Sequence, residues 1–125
     1  MIHGVVNQSY EATIPLVIIN ENRQTKLIDA VIDTGYTGYL SLPTEIITEL
    51  DLTWTGVDRG TLGDGSEVTF EVYAATIIWD GQYRNVPVNA AETDPLIGMS
   101  LIYGYDLHIR AIAGGAVTIA LVDKG

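Results

Sequence analysis

Apolar and polar residues alternate along much of the chain, and this period of two predicts strands. The alternation is clearest around Val68, Phe70 and Val72, which are separated by acidic or hydroxyl side chains. Such a pattern is typical of a strand with one buried face. Segments rich in Gly, Asn and Asp separate the apolar stretches and predict turns. The predicted strands cover residues 10–19, 25–32, 39–42, 53–62, 66–79, 83–90, 107–112 and 116–122.

Two short segments predict helices between the strands. Pro43 suits the first turn of a helix, and Ile46, Ile47 and Leu50 supply an apolar stripe, so a helix is expected over residues 43 to 50. A second segment, 99–103, has the length of about one helical turn.

The turn residues also predict how two strands are paired. The sequence Gly63-Asp64-Gly65 is a strong hairpin signal and joins the predicted strands 53–62 and 66–79. The alternation changes around Ala74-Ala75, which predicts a β-bulge there. Asp80-Gly81 predicts a second tight turn.

A pattern that occurs twice in the sequence predicts two similar halves. Val31-Ile32-Asp33 joins an apolar run to a turn and a short helix, and Leu96-Ile97-Gly98 does the same about 65 residues later. The spacing predicts two half-domains related by a pseudo-two-fold axis. The expected fold is mainly all-β, a closed β-barrel or sandwich of two pseudo-symmetric halves with one or two short helices.

Composition limits the classes of function. At 125 residues the chain is expected to form one domain, residues 1–125. It contains no Cys, which excludes disulfides, thiolate metal sites and cysteine catalysis. The formal charge is −10, and the six basic residues are not clustered, so nucleic acid is not an expected partner. The acidity favours solubility, and its functional alternative is a preference for neutral or basic substrates.

Several other site classes and locations lack support in the sequence. Residues 1–8 do not resemble a signal peptide, and residues 111–122 are too short and too rich in Gly to span a bilayer. We therefore expect a soluble, cytoplasmic protein without a membrane partner. His3 and His108 are far apart, so neither a metal nor another cofactor is expected. No serine-hydrolase or phosphate-loop motif is present.

Asp33 is the strongest candidate for chemistry. It follows an apolar, β-branched run and precedes a Gly-bearing turn, which would hold the carboxylate rigidly near backbone N–H groups. The alternative is an Asp that only caps the turn. The chain has one such segment, so a mechanism that needs two carboxylates must take the second from another copy of the chain.

Together these motifs resemble the retropepsin-like aspartic proteases, and the predicted helix makes the cellular and microbial branch the better match. Three features carry the resemblance: Asp33-Thr34-Gly35 after Val31-Ile32 and before Thr37, a Gly-containing hairpin at residues 59–65, and Leu96-Ile97-Gly98. The resemblance implies a homodimer that hydrolyses peptides or proteins. Asp33 of each subunit would share one proton across the two-fold axis and activate a water molecule.

The resemblance also implies roles for the neighbouring residues. The hydroxyl of Thr34 would form a hydrogen bond across the dimer, and Gly35 would leave space beside the carboxylates. The hydroxyl of Thr37 would bind the outer carboxylate oxygen. Gly98 would serve packing near the site. The hairpin tip would close over the substrate as a flap, with the residues Leu62, Gly63, Asp64 and Gly65.

One residue departs from the family pattern. Tyr36 stands where the family usually has Ala or Ser, so a large ring lies beside the expected site. Tyr36 and the acidic hairpin tip at Asp64 support a rival to the peptidase, and two rival hypotheses stay open. The first is a catalytically inactive dimeric binding module with the retropepsin fold. The second is an unrelated all-β barrel that binds a ligand.

Overall fold

A computed structural model describes residues 1–123, which form ten strands and two short helices. The predicted domain also includes residues 124–125, which lie outside the described part. None of the helices within residues 1–123 is long and apolar enough to cross a membrane. The elements in chain order are β1 (Ile2–Val6), β2 (Ala12–Ile19), β3 (Thr25–Ile32), β4 (Leu40–Leu42), α1 (Thr44–Glu49), β5 (Thr53–Thr61), β6 (Glu67–Trp79), β7 (Gln82–Ala90), β8 (Leu96–Ile97), α2 (Met99–Ile102), β9 (Tyr105–Ile109) and β10 (Ala116–Leu121).

Six of the strands close into a barrel. Their order is β6-β7-β4-β8-β3-β2, and β2 pairs back to β6 at Ile18 opposite Ile77 and Ile19 opposite Thr76. Strand β5 extends the sheet from β6, and β1, β10 and β9 extend it from β2. This arrangement confirms the predicted mainly all-β barrel with two short helices.

The strand pairing also confirms the two pseudo-symmetric halves. Strand β3 runs parallel to β8, with Val31 opposite Leu96, and β4 runs parallel to β7, with Leu40 opposite Val88. Strands β4 and β8 pair with each other in antiparallel orientation. Exchanging β2, β3 and β4 for β6, β7 and β8 reproduces the same order around the barrel.

Burial follows the period of two that the sequence shows. Ile14, Leu16 and Ile18 alternate along β2 and are almost completely buried. Ile77 of β6 and Ile97 of β8, in the second pseudo-symmetric half, are also buried. Removing these side chains from water is the main stabilising contribution to such a core. The core therefore lies inside the barrel that holds both halves together.

The N-terminal strand β1 was not predicted. Ile2 pairs with Ile119 of β10, and Val5 pairs with Thr13 of β2. A Cβ on Gly4 would overlap the backbone of Thr13, so glycine permits this close approach. The sequence gives a weak signal because β1 alternates between half-buried and exposed residues and contains a glycine.

Two strand boundaries in the prediction are also wrong. Tyr10 was expected to begin a strand, but it lies in a turn with a positive φ of 64°, and β2 begins at Ala12. Strand β9 covers Tyr105–Ile109 instead of residues 107–112. The other predicted strands and both helices are confirmed to within a few residues, with Pro43 as the N-cap of α1.

The predicted bulge at Ala74-Ala75 is wrong. Strands β6 and β7 pair without interruption from Val72 to Trp79, whereas the bulge lies in β5 between Trp54 and Gly56. The alternation changes because β6 presents apolar residues on opposite faces in its two halves. Even-numbered residues are the more buried ones up to Val72, and odd-numbered residues are more buried from Ala75 onwards.

Substitution of two neighbouring isoleucines on β6 provides a test of where the core lies. Ile77 is fully buried, whereas Ile78 is 38% exposed. We expect Ile77→Ala to lower the free energy of unfolding by about 2–5 kcal/mol because it leaves a cavity. Ile78→Ala should cost less than about 1 kcal/mol. Urea unfolding measures both values, and equal losses would contradict the assigned burial.

Candidate active site

Strand β3 delivers Asp33 into a turn that β8 holds in place. The backbone N–H of Asp33 donates to the carbonyl of Ile97 at 2.9 Å, and that of Val31 donates to Pro95 at 2.8 Å. The backbone N–H of Tyr36 donates to the carbonyl of Asp33 at 3.1 Å and closes the turn. The pairing of β3 with β8 therefore brings Asp33 beside Leu96, Ile97 and Gly98, the second predicted motif.

The carboxylate of Asp33 is half-buried and fixed by its own turn. Its Oδ1 accepts a hydrogen bond from the backbone N–H of Gly35 at 2.9 Å. A Cβ at Gly35 would lie 3.3 Å from this oxygen, so the glycine leaves room for the carboxylate. The turn-capping contact is present, and it leaves Oδ2 without a hydrogen bond within residues 1–123.

Helix α2 supports the same turn, which we call the Asp turn (residues 33–38). The backbone N–H of Met99 donates to Tyr36 at 2.8 Å, and that of Ser100 donates to Gly38 at 3.1 Å. The hydroxyl of Ser100 donates to the carbonyl of Thr37. Sequence reasoning missed Ser100, because only the packing of α2 against the turn reveals this contact.

The two predicted threonines lie at different surfaces. Both side chains are exposed, and within residues 1–123 the Thr37 hydroxyl forms no hydrogen bond with Asp33. Thr34 lines an apolar cavity of about 480 Å³. That cavity also includes Ile32 of β3, Ile109 of β9, and Ile112 in the loop before β10.

Tyr36 packs into the space that two glycines leave. A Cβ on Gly38 would lie 2.7 Å from ring atom Cε1, and a Cβ on Gly98 would lie 2.7 Å from Cδ2. The phenol oxygen accepts a hydrogen bond from Nδ2 of Asn89 on β7 at 2.9 Å. Burial raises the pKa of Tyr36 to about 12, against the opposing effect of the Asn89 hydrogen bond. The hydroxyl is therefore protonated at neutral pH.

The β5–β6 hairpin has an exposed, tightly closed tip. Leu62 and Ser66 pair through the backbone at 2.8 Å, and Gly65 has a φ of +87°, which glycine adopts without strain. Hydrogen bonds from the Ser66 hydroxyl and backbone N–H hold the pKa of the Asp64 carboxyl below its usual value. Gly63 has open space around it. The predicted turn is thus present.

A cavity of about 510 Å³ separates the Asp turn from the hairpin. Its lining comes from residues 35–39 on one side and from β5, β6 and β7 on the others. The sequence analysis did not identify Asn89 or Asp58 as part of this cavity. Both assignments depend on strand register, which the sequence does not specify. The lining residues outside the Asp turn are Tyr39, Asp58, Arg59, Gly60, Thr61, Phe70, Val72, Pro87 and Asn89.

Within residues 1–123, no group of three or more His, Cys, Asp or Glu side chains is arranged to hold a metal ion. What the described chain offers is one fixed carboxylate beside an open groove. A carboxylate in this position can accept a proton from water or donate one to a carbonyl oxygen.

Gly98 provides a test of the packing around the Asp turn. A Cβ there would overlap the carbonyl oxygen of Gly38 and lie 2.8 Å from that of Tyr36. We expect Gly98→Ala to lower the free energy of unfolding by about 1–3 kcal/mol. Gly63→Ala meets open space and should change it by less than about 0.5 kcal/mol. Thermal or urea unfolding that ranks the two variants the other way would contradict this packing.

The raised pKa of Tyr36 predicts that the folded chain loses stability at high pH. The pKa of this side chain is about 12 in the folded chain against the ordinary tyrosine value of 10.0, so the folded state retains the proton that the unfolded state releases. The free energy of unfolding should therefore fall as the pH rises from about 10 to about 12, and less steeply in Tyr36→Phe. Absorbance titration should show that Tyr36→Phe lacks the highest tyrosine step. Tyr83→Phe, at an exposed position, should retain that step.

Comparison with known proteins gives matches by structure. No protein-family model and no curated protein sequence match the chain. A retropepsin-like aspartic protease from Rickettsia conorii is similar, with a TM-score of 0.59 and 16% identity over 98% of this chain and 91% of that one. The EIAV protease in complex with the inhibitor HBY-793 gives a TM-score of 0.55 and 20% identity over 77% of this chain and 88% of that one. These likenesses confirm the fold that the resemblance implies, in place of a barrel with a different fold. The chain has the fold of the retropepsin-like aspartic proteases.

Proposed function

We propose that residues 1–125 act as one domain and dimerise to form an aspartic endopeptidase, with Asp33 of each copy as the catalytic acid. The observation that carries this proposal is the placement of Asp33. β8 and the Asp turn fix its backbone, and Gly35 orients its carboxylate. A groove with a Gly-tipped hairpin on its far side lies next to this turn. The fold supports the same activity.

The chemistry needs two carboxylates that share one proton. Two such groups about 3 Å apart cannot both ionise, and aspartic proteases are the standard example. The ionised group takes a proton from water while the protonated group donates to the scissile carbonyl. The water oxygen attacks the carbonyl carbon and gives a tetrahedral intermediate. The carboxyl that took the proton from water passes it to the amine nitrogen, one hydroxyl of the intermediate returns a proton to the other carboxylate, and the C–N bond breaks. The pair titrates as a unit, so its pKa values belong to both carboxylates.

The second carboxylate would come from a second copy on a two-fold axis. In such a contact the same surface meets itself, so Asp33 and Thr34 would face their own counterparts. The apolar cavity at Thr34 supports this arrangement, because Ile109 is 40% and Ile112 is 57% exposed beside it. A second copy would cover these side chains and bring the two Asp turns together.

The substrate would be an extended peptide held between the Asp turn and the hairpin tip. Leu62, Gly63, Asp64 and Gly65 would close over it, as lids exclude water from other active sites. The absence of cysteine fits action in a reducing compartment such as the cytoplasm.

The second candidate function is a dimeric binding module without activity. Tyr36 favours it, because a large ring takes the position where the family usually has a small residue. The Tyr36 ring packs into the space that Gly38 and Gly98 leave. This placement favours the active peptidase over the inactive binding module. Hydrolysis that depends on Asp33 separates the two functions.

Asp33→Asn is the direct test of catalysis. We expect peptide hydrolysis to fall at least about a hundredfold, because the variant lacks the proton-transferring carboxylate. Asp29→Asn, on an exposed position of the same strand, should retain the wild-type rate. A diverse peptide library at high protein concentration, assayed from about pH 3.5 to pH 7, covers the range of a shared-proton pair.

Dimerisation is measured in the same samples by analytical ultracentrifugation, and folding by circular dichroism. Hydrolysis that survives Asp33→Asn would contradict the proposed mechanism. A stable dimer of the wild-type chain that cleaves no peptide would support the binding module.

A further inference from the structure

The inner face of the β5–β6 hairpin presents one carboxylate to the groove. Asp58 pairs directly with Phe70, and directly opposed residues of antiparallel strands project to the same face. Phe70 lines the groove cavity, and so does Asp58. Arg59 pairs with Thr69, so its side chain belongs to the outer face. Arg59 is nevertheless one of the residues that line the cavity.

The carboxylate of Asp58 has no cationic partner among the described residues. Its Oδ1 accepts the backbone N–H of the next residue, Arg59, at 2.8 Å. The ion pairs found within residues 1–123 join the N-terminus to Asp80 and Lys26 to Glu49. An exposed acid on the inner face of the hairpin therefore retains its capacity to bind a cation.

Part of the cavity wall is apolar or aromatic, and polar residues such as Asn89 and Thr61 complete it. Phe70 and Val72 approach from the hairpin, and Pro87 approaches from β7. The far edge of the Phe70 ring lies over Gly60, where a Cβ would overlap the ring atom Cζ. Tyr36 adds a second aromatic ring from the Asp turn. Such walls suit an aliphatic stem, and aromatic faces attract cations.

We propose that this cavity binds the side chain of a Lys or Arg residue in a peptide, with its stem against Phe70 and Val72 and its charge at Asp58. The inference deepens the proposed function and rests on the groove being a peptide-binding groove. The net charge of −10 acts in the same direction, because it attracts basic peptides over longer distances.

The test measures binding in the dimeric Asp33→Asn protein, so that cleavage does not interfere. The probes are fluorescein-labelled octapeptide mixtures in which each position in turn is fixed as Lys, norleucine or Glu. We expect Lys to bind about threefold to fivefold more tightly than norleucine at one position, with Glu weakest. The preference should shrink as salt is added.

Two charge-removing variants on the same hairpin locate the effect. Asp58→Asn should abolish the preference for Lys over norleucine. Glu67→Gln removes the same charge from the outer face, as an odd-numbered β6 residue, and should leave the preference intact. Equal loss in both variants would assign the effect to net charge and overturn the proposal. Binding without any preference for Lys, or no binding at all, would also overturn it.

Hydrolysis of the same mixtures by the wild-type chain separates this inference from the proposed function. Cleavage without a preference for Lys would overturn the inference and leave the peptidase in place. Binding that prefers Lys through Asp58, without cleavage, would support the inference and contradict the peptidase.

Discussion

The parallel pairing of β3 with β8 is the constraint on which the candidate site depends. It places Asp33 beside Ile97, although the two residues are far apart in sequence, and a 2.9 Å hydrogen bond joins their backbones. Parallel strands need a long crossover connection, and the segment from β4 to β7 supplies it here. The barrel core and the position of the carboxylate therefore have the same origin.

The Asp turn is held from three directions. β8 binds the backbone of Asp33, α2 donates hydrogen bonds to Tyr36 and Gly38, and Asn89 of β7 binds the Tyr36 phenol. Each of these contacts restrains the turn, and together they support the positions of its side chains. This explains how the fold accommodates Tyr36. The ring becomes part of the support for the turn because Gly38 and Gly98 leave it space.

The sequence predicts the parts of the fold that depend on local pattern. The period of two identifies most of the barrel strands, and the Gly-rich turns identify the hairpins. It misses β1, whose stability comes from pairing with β10 and β2 and not from its own residues. It also misplaces the bulge, because an apolar pattern that changes face resembles a change of register. Asp33 can be identified from the sequence because the apolar run before it and the Gly-bearing turn after it form a recognisable motif. The positions of Asp58 and Asn89 in the groove depend on strand pairing, which the sequence does not specify.

The change of apolar face along β6 explains how one strand serves both the core and the groove. From Ala75 onwards its odd-numbered residues fill the barrel, and up to Val72 its even-numbered residues face the groove. Because successive side chains of a strand point in opposite directions, the groove and the core use different residues of one continuous element. The barrel half anchors the strand and fixes the register of the hairpin half. The inner face of the hairpin, including Asp58 and Phe70 opposite it, can therefore vary for ligand recognition without altering the core that holds Asp33.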